Sequence, residues 1–280
     1  DFDGDEMNLH IPQTEEARAE AEILMEVQTQ IMSPKHGLNV IGCIEDSVTG
    51  NYLLTEDGMT MSRSEAIELL LSIGVNDLDL FKSFKKEVSG KEVFSVVLPK
   101  DLNFVYEDVE VKKGMLVSGQ IDPKTIGDGN GTLLRDIHRI YSERECVDIF
   151  GKIFKLGIAY LLKRGFTIRT ADADIPADVT KKCKKIIIDA IDASNEILEE
   201  YYNGKLKNFS GKTVDETVEL MVMQKLNETR NVIGKLISKS VPETNNAIVM
   251  SRAGKGNILN LAQTSIIVGQ QALRGKRVER

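Results

Sequence analysis

The sequence predicts an α+β fold, with a β-rich stretch followed by a helical one. Three observations predict it. Short β-branched apolar runs separated by turn residues fill positions 39–141, apolar residues recur at helical spacing from Ser142 onward, and two long helical patterns are joined by a short connection containing Gly204 and Gly211. At 280 residues the chain can bury a core without disulfide or metal staples. Trp is absent and aromatics reach only 5%, which argues against an aromatic-lined lectin or an all-β recognition module. No run approaches the roughly 18 apolar residues of a membrane span, so no membrane association and a cytoplasmic location are expected. The acidic opening lacks the basic start and apolar middle of a signal peptide, and a chain beginning at Asp1 rather than Met is expected to be part of a longer one.

Residues 1–38 open with the acidic, Gly-containing loop Asp1 to Glu6. A helix follows, with Thr14 as cap, Glu15 and Glu16 in its first turn, Ala17, Ala21, Leu24 and Gln28 on one face, and Ser33, Pro34 and Gly37 as its stop. In residues 39–141, Val40–Ile44, Tyr52–Leu54 after the turn Thr49-Gly50-Asn51, Val93–Leu98, Phe104–Tyr106 and Met115–Val117 read as strands of a barrel-like or sandwich domain. One helical insert interrupts them: Ser62 and Glu65 make a capping box, Ala66, Leu69, Leu70 and Ile73 the apolar face, and Gly74 the end. Residues 142–250 switch to helices. Ser142 and Glu145 cap the first, whose face is Val147, Phe150, Phe154, Ile158 and Leu161 and whose end is Gly165.

Two long helices come next, Pro176 to Tyr202 and Thr213 to about Lys239, the second capped by Thr213 and Glu216. They should form an antiparallel hairpin with a seam from Ile187, Ile191, Ile197 and Leu198 on one side and Val218, Met221, Leu226 and Ile233 on the other. Lys181, Lys182, Lys184 and Lys185 start the first helix and Glu196, Glu199 and Glu200 end it, which opposes the helix dipole; this is either a plain solvated face or a surface that guides partners. Residues 251–280 hold a Gly-Lys-Gly turn and a further helix.

The net charge of −7 is unevenly spread. From Asp1 to Glu22 eight acids face Arg18 alone, whereas from Arg252 to Arg280 six bases face Glu279 alone. The first end can gather cations and the second phosphates. Cys43, Cys146 and Cys183 are far apart, which points to free buried thiols rather than a zinc site. Gly127-Asp128-Gly129-Asn130-Gly131 lacks a lysine and a preceding Rossmann strand and reads as a loop. His10, His36 and His138 are scattered.

Asp1, Asp3 and Asp5 alternate around Gly4, whose backbone freedom lets the loop curl so that three carboxylates converge on one hard cation such as Mg²⁺, Mn²⁺ or Ca²⁺. An EF-hand does not fit, since Glu6 and Pro12 stand where it needs Gly and Glu. A solvated acidic turn is the alternative. Ala253-Gly254-Lys255-Gly256 lacks P-loop spacing and reads on its own as a basic Gly turn before a helix.

The stretch Asp1 to Gln13 (DFDGDEMNLHIPQ) resembles the catalytic motif of the largest subunit of multisubunit DNA-dependent RNA polymerases, in its archaeal A′-type form. Glu15 to Glu20, Ile31-Met32-Ser33-Pro34, Ala253 to Gln263, Gly269-Gln270-Gln271 and Gly275-Lys276-Arg277 continue the likeness in family order. The resemblance implies an active-site loop over 1–38, a pore domain over 39–141, a funnel domain over 142–250, and over 251–280 a segment leading toward the bridge helix. It implies that Asp1, Asp3 and Asp5 hold a permanent Mg²⁺, a second ion arriving with the nucleotide, and that Lys255 reaches the triphosphate. The family places Asn-Ala before the first Asp; here the chain begins at Asp1, so the upstream parts, the bridge helix and the trigger loop are expected outside it. Asn260, Gln263, Gln270 and Gln271 are expected to be structural. Implied partners are the other polymerase subunits, especially the second-largest, the DNA template, the RNA transcript, nucleoside triphosphates, and a cleavage factor at the funnel. A purely structural docking module for cleavage or elongation factors is the rival reading.

Overall fold

The computed structural model describes residues 4–254 and 256–278, which fall into two compact units, 1–164 and 165–280. The fold is α+β and rich in helix, with small antiparallel sheets of two, three and two strands, and no barrel closes among the described residues. The expected barrel-like middle is thus replaced by helices bearing short sheets.

In the first unit, α1 (Glu15–Leu24) starts at Thr14, whose hydroxyl accepts the Ala17 N–H at 3.1 Å. The helix buries no residue and ends at Leu24, well before Pro34. A 3₁₀ turn (Val27–Gln30) follows, and the Ser33 N–H bonds to Leu38 O at 2.8 Å in a tight turn. The segment after it, expected as a strand, is extended but pinned to a loop instead of a sheet. Buried Asn39 donates to Gly127 O at 2.8 Å and accepts the Gly131 N–H at 3.0 Å, and the Cys43 N–H reaches Ile126 O at 2.8 Å.

Helix α2 (Glu45–Leu54) runs straight through Thr49-Gly50-Asn51, which had the composition of a turn. Strand β1 (Thr60–Ser62) leads into α3 (Arg63–Ser72), whose capping box of Ser62 and Glu65 and buried Ala66, Leu69 and Leu70 follow expectation. Next come α4 (Leu78–Ser83), β2 (Glu87–Ser89), which pairs antiparallel with β1, and α5 (Gly90–Ser95). Val93–Leu98, expected as a strand, therefore begins in a helix. Ser89 and Glu92 cap each other at its start, Val93 and Phe94 are buried within it, and buried Val97 and Leu98 follow in the turn after it.

Strands β3 (Phe104–Tyr106), β4 (Val109–Lys112) and β5 (Met115–Ser118) form an antiparallel meander, followed by α6 (Pro123–Ile126), α7 (Thr132–Ile140) and α8 (Glu143–Arg164). Helix α8 buries Cys146, Phe150, Ile153, Leu156, Gly157 and Tyr160, while Val147 and Phe154 from the expected face are each 38% exposed. The α2 crossing sets this face. A Cβ on Gly50 would stand 1.9 Å from Gly157 O, and one on Gly157 2.1 Å from Ser47 O, so backbone lies on backbone. Fully buried Asn51 ties the crossing by donating to Ser47 O at 2.8 Å and Ile153 O at 2.9 Å.

In the second unit, α9 (Ala177–Tyr202) and α10 (Val214–Ser240) form the expected antiparallel hairpin, with Thr213 and Glu216 capping α10. Its seam differs in detail. Helix α9 buries Val179, Cys183, Ala190 and Ser194, small residues that permit close approach, and Ile191 is 49% exposed. Helix α10 buries Val218 and Ile233 as expected, with Val222, Thr229 and Ile237. At the hairpin tip, Tyr201 Oη donates to Asp215 at 2.6 Å and the Phe209 N–H to Thr217 at 3.0 Å. Helices α11 (Asn246–Arg252) and α12 (Ile258–Ser265) add Ile248, Leu261 and Ala262 to the core around Ile233 and Ile237, and the two-stranded hairpin of β6 (Ala272–Leu273) and β7 (Lys276–Arg277) completes the unit. Among the described residues no helix is long and apolar enough to cross a membrane.

Candidate active site

Of the three candidate metal ligands, Asp1 and Asp3 lie outside the described residues. Asp5 is exposed and has no hydrogen-bonded or ion-paired partner among the described residues. Gly4 before it has φ +112°, a backbone angle that side chains rarely adopt, with open space where a Cβ would be. A sharp turn that presents a free carboxylate suits a hard divalent cation, as does a donor set of carboxylate oxygens alone. Beyond the turn, residues 5–13 have no regular structure, and Met7 and Leu9 are 94% and 92% exposed.

Lys255 also lies outside the described residues, but its surroundings are defined. Ala253, fully buried, anchors the end of α11, and Asn257 caps α12 by accepting the Asn260 N–H at 3.0 Å. Gly254 and Gly256 take φ of +88° and +84°, so the turn between two anchored helices is left-handed on both sides of position 255. Of the glutamines, Gln263 donates to Val268 O at 3.2 Å and Gln271 to Gly269 O at 3.4 Å, both exposed local bonds.

The basic end is less available than its charge count implies. Arg277 clasps Glu219 of α10, with Nη2 to Oε1 at 2.6 Å and Nε to Oε2 at 3.1 Å. The guanidinium holds the Glu219 carboxyl below the usual carboxylate range and is itself raised by it. Two further features had no sequence signal. Arg230 Nε and Ser265 Oγ, on α10 and at the end of α12, are buried without a hydrogen-bond partner among the described residues. Gly269 lies against the Arg230 side chain, 2.7 Å from Arg230 Cδ to where its Cβ would be. The acidic loop belongs to the first unit, the Gly-Lys-Gly turn and the Arg277 clasp to the second.

Comparison with known proteins shows three consecutive matches: RNA polymerase Rpb1, domain 2, over residues 1–27, domain 3 over residues 30–173, and domain 4 over residues 197–280. The domain 3 match alone covers more than half of the chain. The chain belongs to the RNA polymerase Rpb1 family. It is similar throughout its length to archaeal members named DNA-directed RNA polymerase subunit Rpo1N. It is 36% identical to that of Thermococcus celer and 35% to that of Halobacterium salinarum, of which it covers 36% and 30%. The relative from Methanothermobacter thermautotrophicus is 36% identical and 34% covered. The chain thus spans about a third of the length of the curated relatives it matches.

In this Rpb1-family chain the acidic loop falls in the domain 2 match, the α2–α8 crossing in domain 3, and the Gly-Lys-Gly turn with the Arg277 clasp in domain 4. Its three cysteines are free and buried, as expected. Burial pushes the Cys43 thiol up to about 12 against an opposing bond from Ser47, and burial with Glu145 and Glu143 nearby raises Cys146 to about 11. Neither thiol ionises near neutral pH, so neither is a candidate nucleophile.

Proposed function

We propose that the chain is the central catalytic portion of a DNA-directed RNA polymerase largest subunit, carrying out template-dependent nucleotidyl transfer in transcription by a two-Mg²⁺ mechanism. The acidic motif at Asp1 to Glu6, inside a chain that matches Rpb1 domains 2, 3 and 4 in order, carries this reading. Asp1, Asp3 and Asp5 would hold the permanent Mg²⁺, and the free Asp5 carboxylate after the Gly4 turn supports the assignment. When bound, the ion supplies Lewis-acid activation of the RNA 3′-hydroxyl and neutralises charge at the reacting phosphate.

The chain's own residues frame that chemistry. The three carboxylates would give the ion an all-oxygen, anionic donor set. Lys255 would bring an ammonium point charge to the triphosphate; the glycines before and after it are left-handed, and the flanking helices are fixed by Ala253 and Asn257. The segments 1–38, 39–141, 142–250 and 251–280 act as metal loop, pore, funnel and approach to the bridge helix. Partners are the other subunits, above all the second-largest, with DNA, RNA and nucleoside triphosphates, in the cytoplasm and with no membrane. The chain by itself is inactive, because the second large subunit supplies the rest of the site.

In the assembled polymerase, Asp3→Ala should abolish nucleotide addition and transcript cleavage together while leaving assembly intact. Normal elongation by that variant would overturn the metal assignment. A second reading, that the hairpin α9–α10 docks cleavage or elongation factors, draws on the 58% and 49% exposure of Ile188 and Ile191. The two readings separate in the Asp3→Ala enzyme, which should still bind a factor at the hairpin.

A further inference from the structure

The α9–α10 hairpin carries its charge in two halves. In its base and the turns around it, 165–188 and 229–252, nine bases face four acids. In its tip half, 189–228, nine acids face four bases. Within 179–188 and 229–241 there is no acid at all, and six lysines and Arg230 stand there. Lys181, Lys182, Lys184 and Lys185 belong to α9 and Lys235 and Lys239 to α10, and all six are exposed. The two sets lie level. Val179 and Cys183 share a buried cluster with Ile233, Ile237 and Val241, and a groove runs between Ile186, Asp189 and Ala190 on one helix and Glu228, Thr229 and Val232 on the other. The antiparallel run therefore sets 181–185 beside 235–239. Lys181 and Lys185 stand on the face of α9 opposite buried Cys183, one turn apart, with Lys184 beside them.

Local stability does not account for this cluster. Lysines in the first turns of α9 oppose the helix dipole, and Lys181 with Lys185 and Lys235 with Lys239 are like charges four positions apart, which repel. The acids of the base give little relief. Asp172 and Glu243 are taken by Arg169 at 3.1 Å and Arg252 at 2.9 Å, Asp178 meets Lys182 only at 3.9 Å, and Asp174 lies before α9. Lys181, Lys184, Lys185, Lys235 and Lys239 have no hydrogen-bonded or ion-paired side-chain partner among the described residues. Even with every acid counted as charged, the base keeps an excess of five positive charges on a chain of net charge −7.

Such a surface fits a chain with a negative charge at every repeat. A protein partner docks around an apolar centre. Here lysines hold the centre, and exposed Ile188 and Val232 lie at its edge, beside Asp189 and Glu228. No aromatic ring stands within 179–188 or 229–241 to stack on a base, so a nucleic acid would be held by its phosphates alone. Two packed helices, roughly 10 Å between axes, give room for one strand. We propose that the lysine surface at the base of α9–α10 holds the phosphate backbone of a single RNA strand without regard to sequence. The choice of RNA rests on the polymerase reading; the surface uses neither the acidic loop nor the Gly-Lys-Gly turn.

The test uses the full chain and a fluorescent uridine decamer, read by anisotropy at low salt. Binding should saturate and should weaken with salt at a slope of about −2 in log affinity against log salt, the value for about three phosphates neutralised on a single strand. The variant Lys181→Glu, Lys184→Glu and Lys185→Glu should bind at least about tenfold more weakly. The variant Lys205→Glu, Lys207→Glu and Lys212→Glu changes the net charge equally at the hairpin tip and should stay within about threefold of the parent. Both change only exposed side chains and should melt no lower than the parent. Asp3→Ala should bind as the parent does, so failure here leaves the metal assignment standing, and the reverse. Equal loss in the two lysine variants, or no loss in the base variant, would overturn the proposal. So would a glutamate decapeptide that binds as tightly as the RNA, which would make the surface a dock for an acidic protein segment.

Discussion

Arg277 and Glu219 show what a single pair contributes. The clasp is partly buried, with both side chains under a third exposed, and it fastens the β6–β7 hairpin to α10. A carboxyl held below its ordinary value binds fewer protons folded than unfolded. Its stabilisation is therefore complete above the ordinary carboxylate range, about 4.3, and is lost as pH falls through the lowered value. Arg277→Gln should cost on the order of 1 kcal/mol at neutral pH and should flatten the acid limb of the stability curve, read as urea midpoints across pH. An unchanged acid limb would mean the pair is open in solution. At the Gly-Lys-Gly turn, Lys255→Ala should weaken nucleotide use by the assembled polymerase by roughly 1.5–3 kcal/mol and slow pyrophosphorolysis as well, the loss expected for a charge-assisted phosphate contact. A change in melting temperature with unchanged nucleotide kinetics would reduce Lys255 to a turn residue.

Elements of this fold meet where side chains are missing. Gly157→Ala should destabilise by about 1–3 kcal/mol, since its Cβ would land 2.1 Å from Ser47 O. Gly151→Ala, on the same helix with nothing within 4 Å, should stabilise by about 0.5–1 kcal/mol through helix propensity. Opposite shifts in chemical denaturation would establish the crossing; two shifts of the same sign would contradict it. This crossing also explains what could be read in advance. Helix starts at Thr14, Ser62, Ser142 and Thr213 were legible because a cap is a local bond between residues three apart. Thr49-Gly50-Asn51 was not, because Gly50 and Asn51 answer to Gly157 and Ile153, more than a hundred positions away in the chain. Val93–Leu98 had apolar residues suited to either period, and the capping box of Ser89 and Glu92 decides for helix. Within the hairpin, rejoining α9 and α10 by a short turn in place of Asn203 to Lys212 should spare basal RNA synthesis and weaken stimulation by a cleavage factor, measured by transcript-cleavage rate. Unchanged stimulation would leave α9–α10 as scaffold.

At the scale of the molecule, the candidate site was legible as residue types and not as an arrangement. Three carboxylates around Gly4 and a lysine between two glycines are patterns of neighbours along the chain, whereas the engagement of Arg277 by Glu219 and the burial of Arg230 Nε without a partner among the described residues depend on packing. Two compact units carry these features, the acidic loop in one and the Gly-Lys-Gly turn in the other. The central claim is the proposed metal at Asp1, Asp3 and Asp5, and counting that ion is the most direct test. The assembled polymerase, exchanged into Mn²⁺ and freed of loosely held metal, should retain one tightly bound ion by electron paramagnetic resonance. Asp3→Ala and Asp5→Ala should each lose it, and Asp57→Ala, which removes an exposed acid paired with Lys91, should keep it. Retention of the ion by both loop variants would contradict the account.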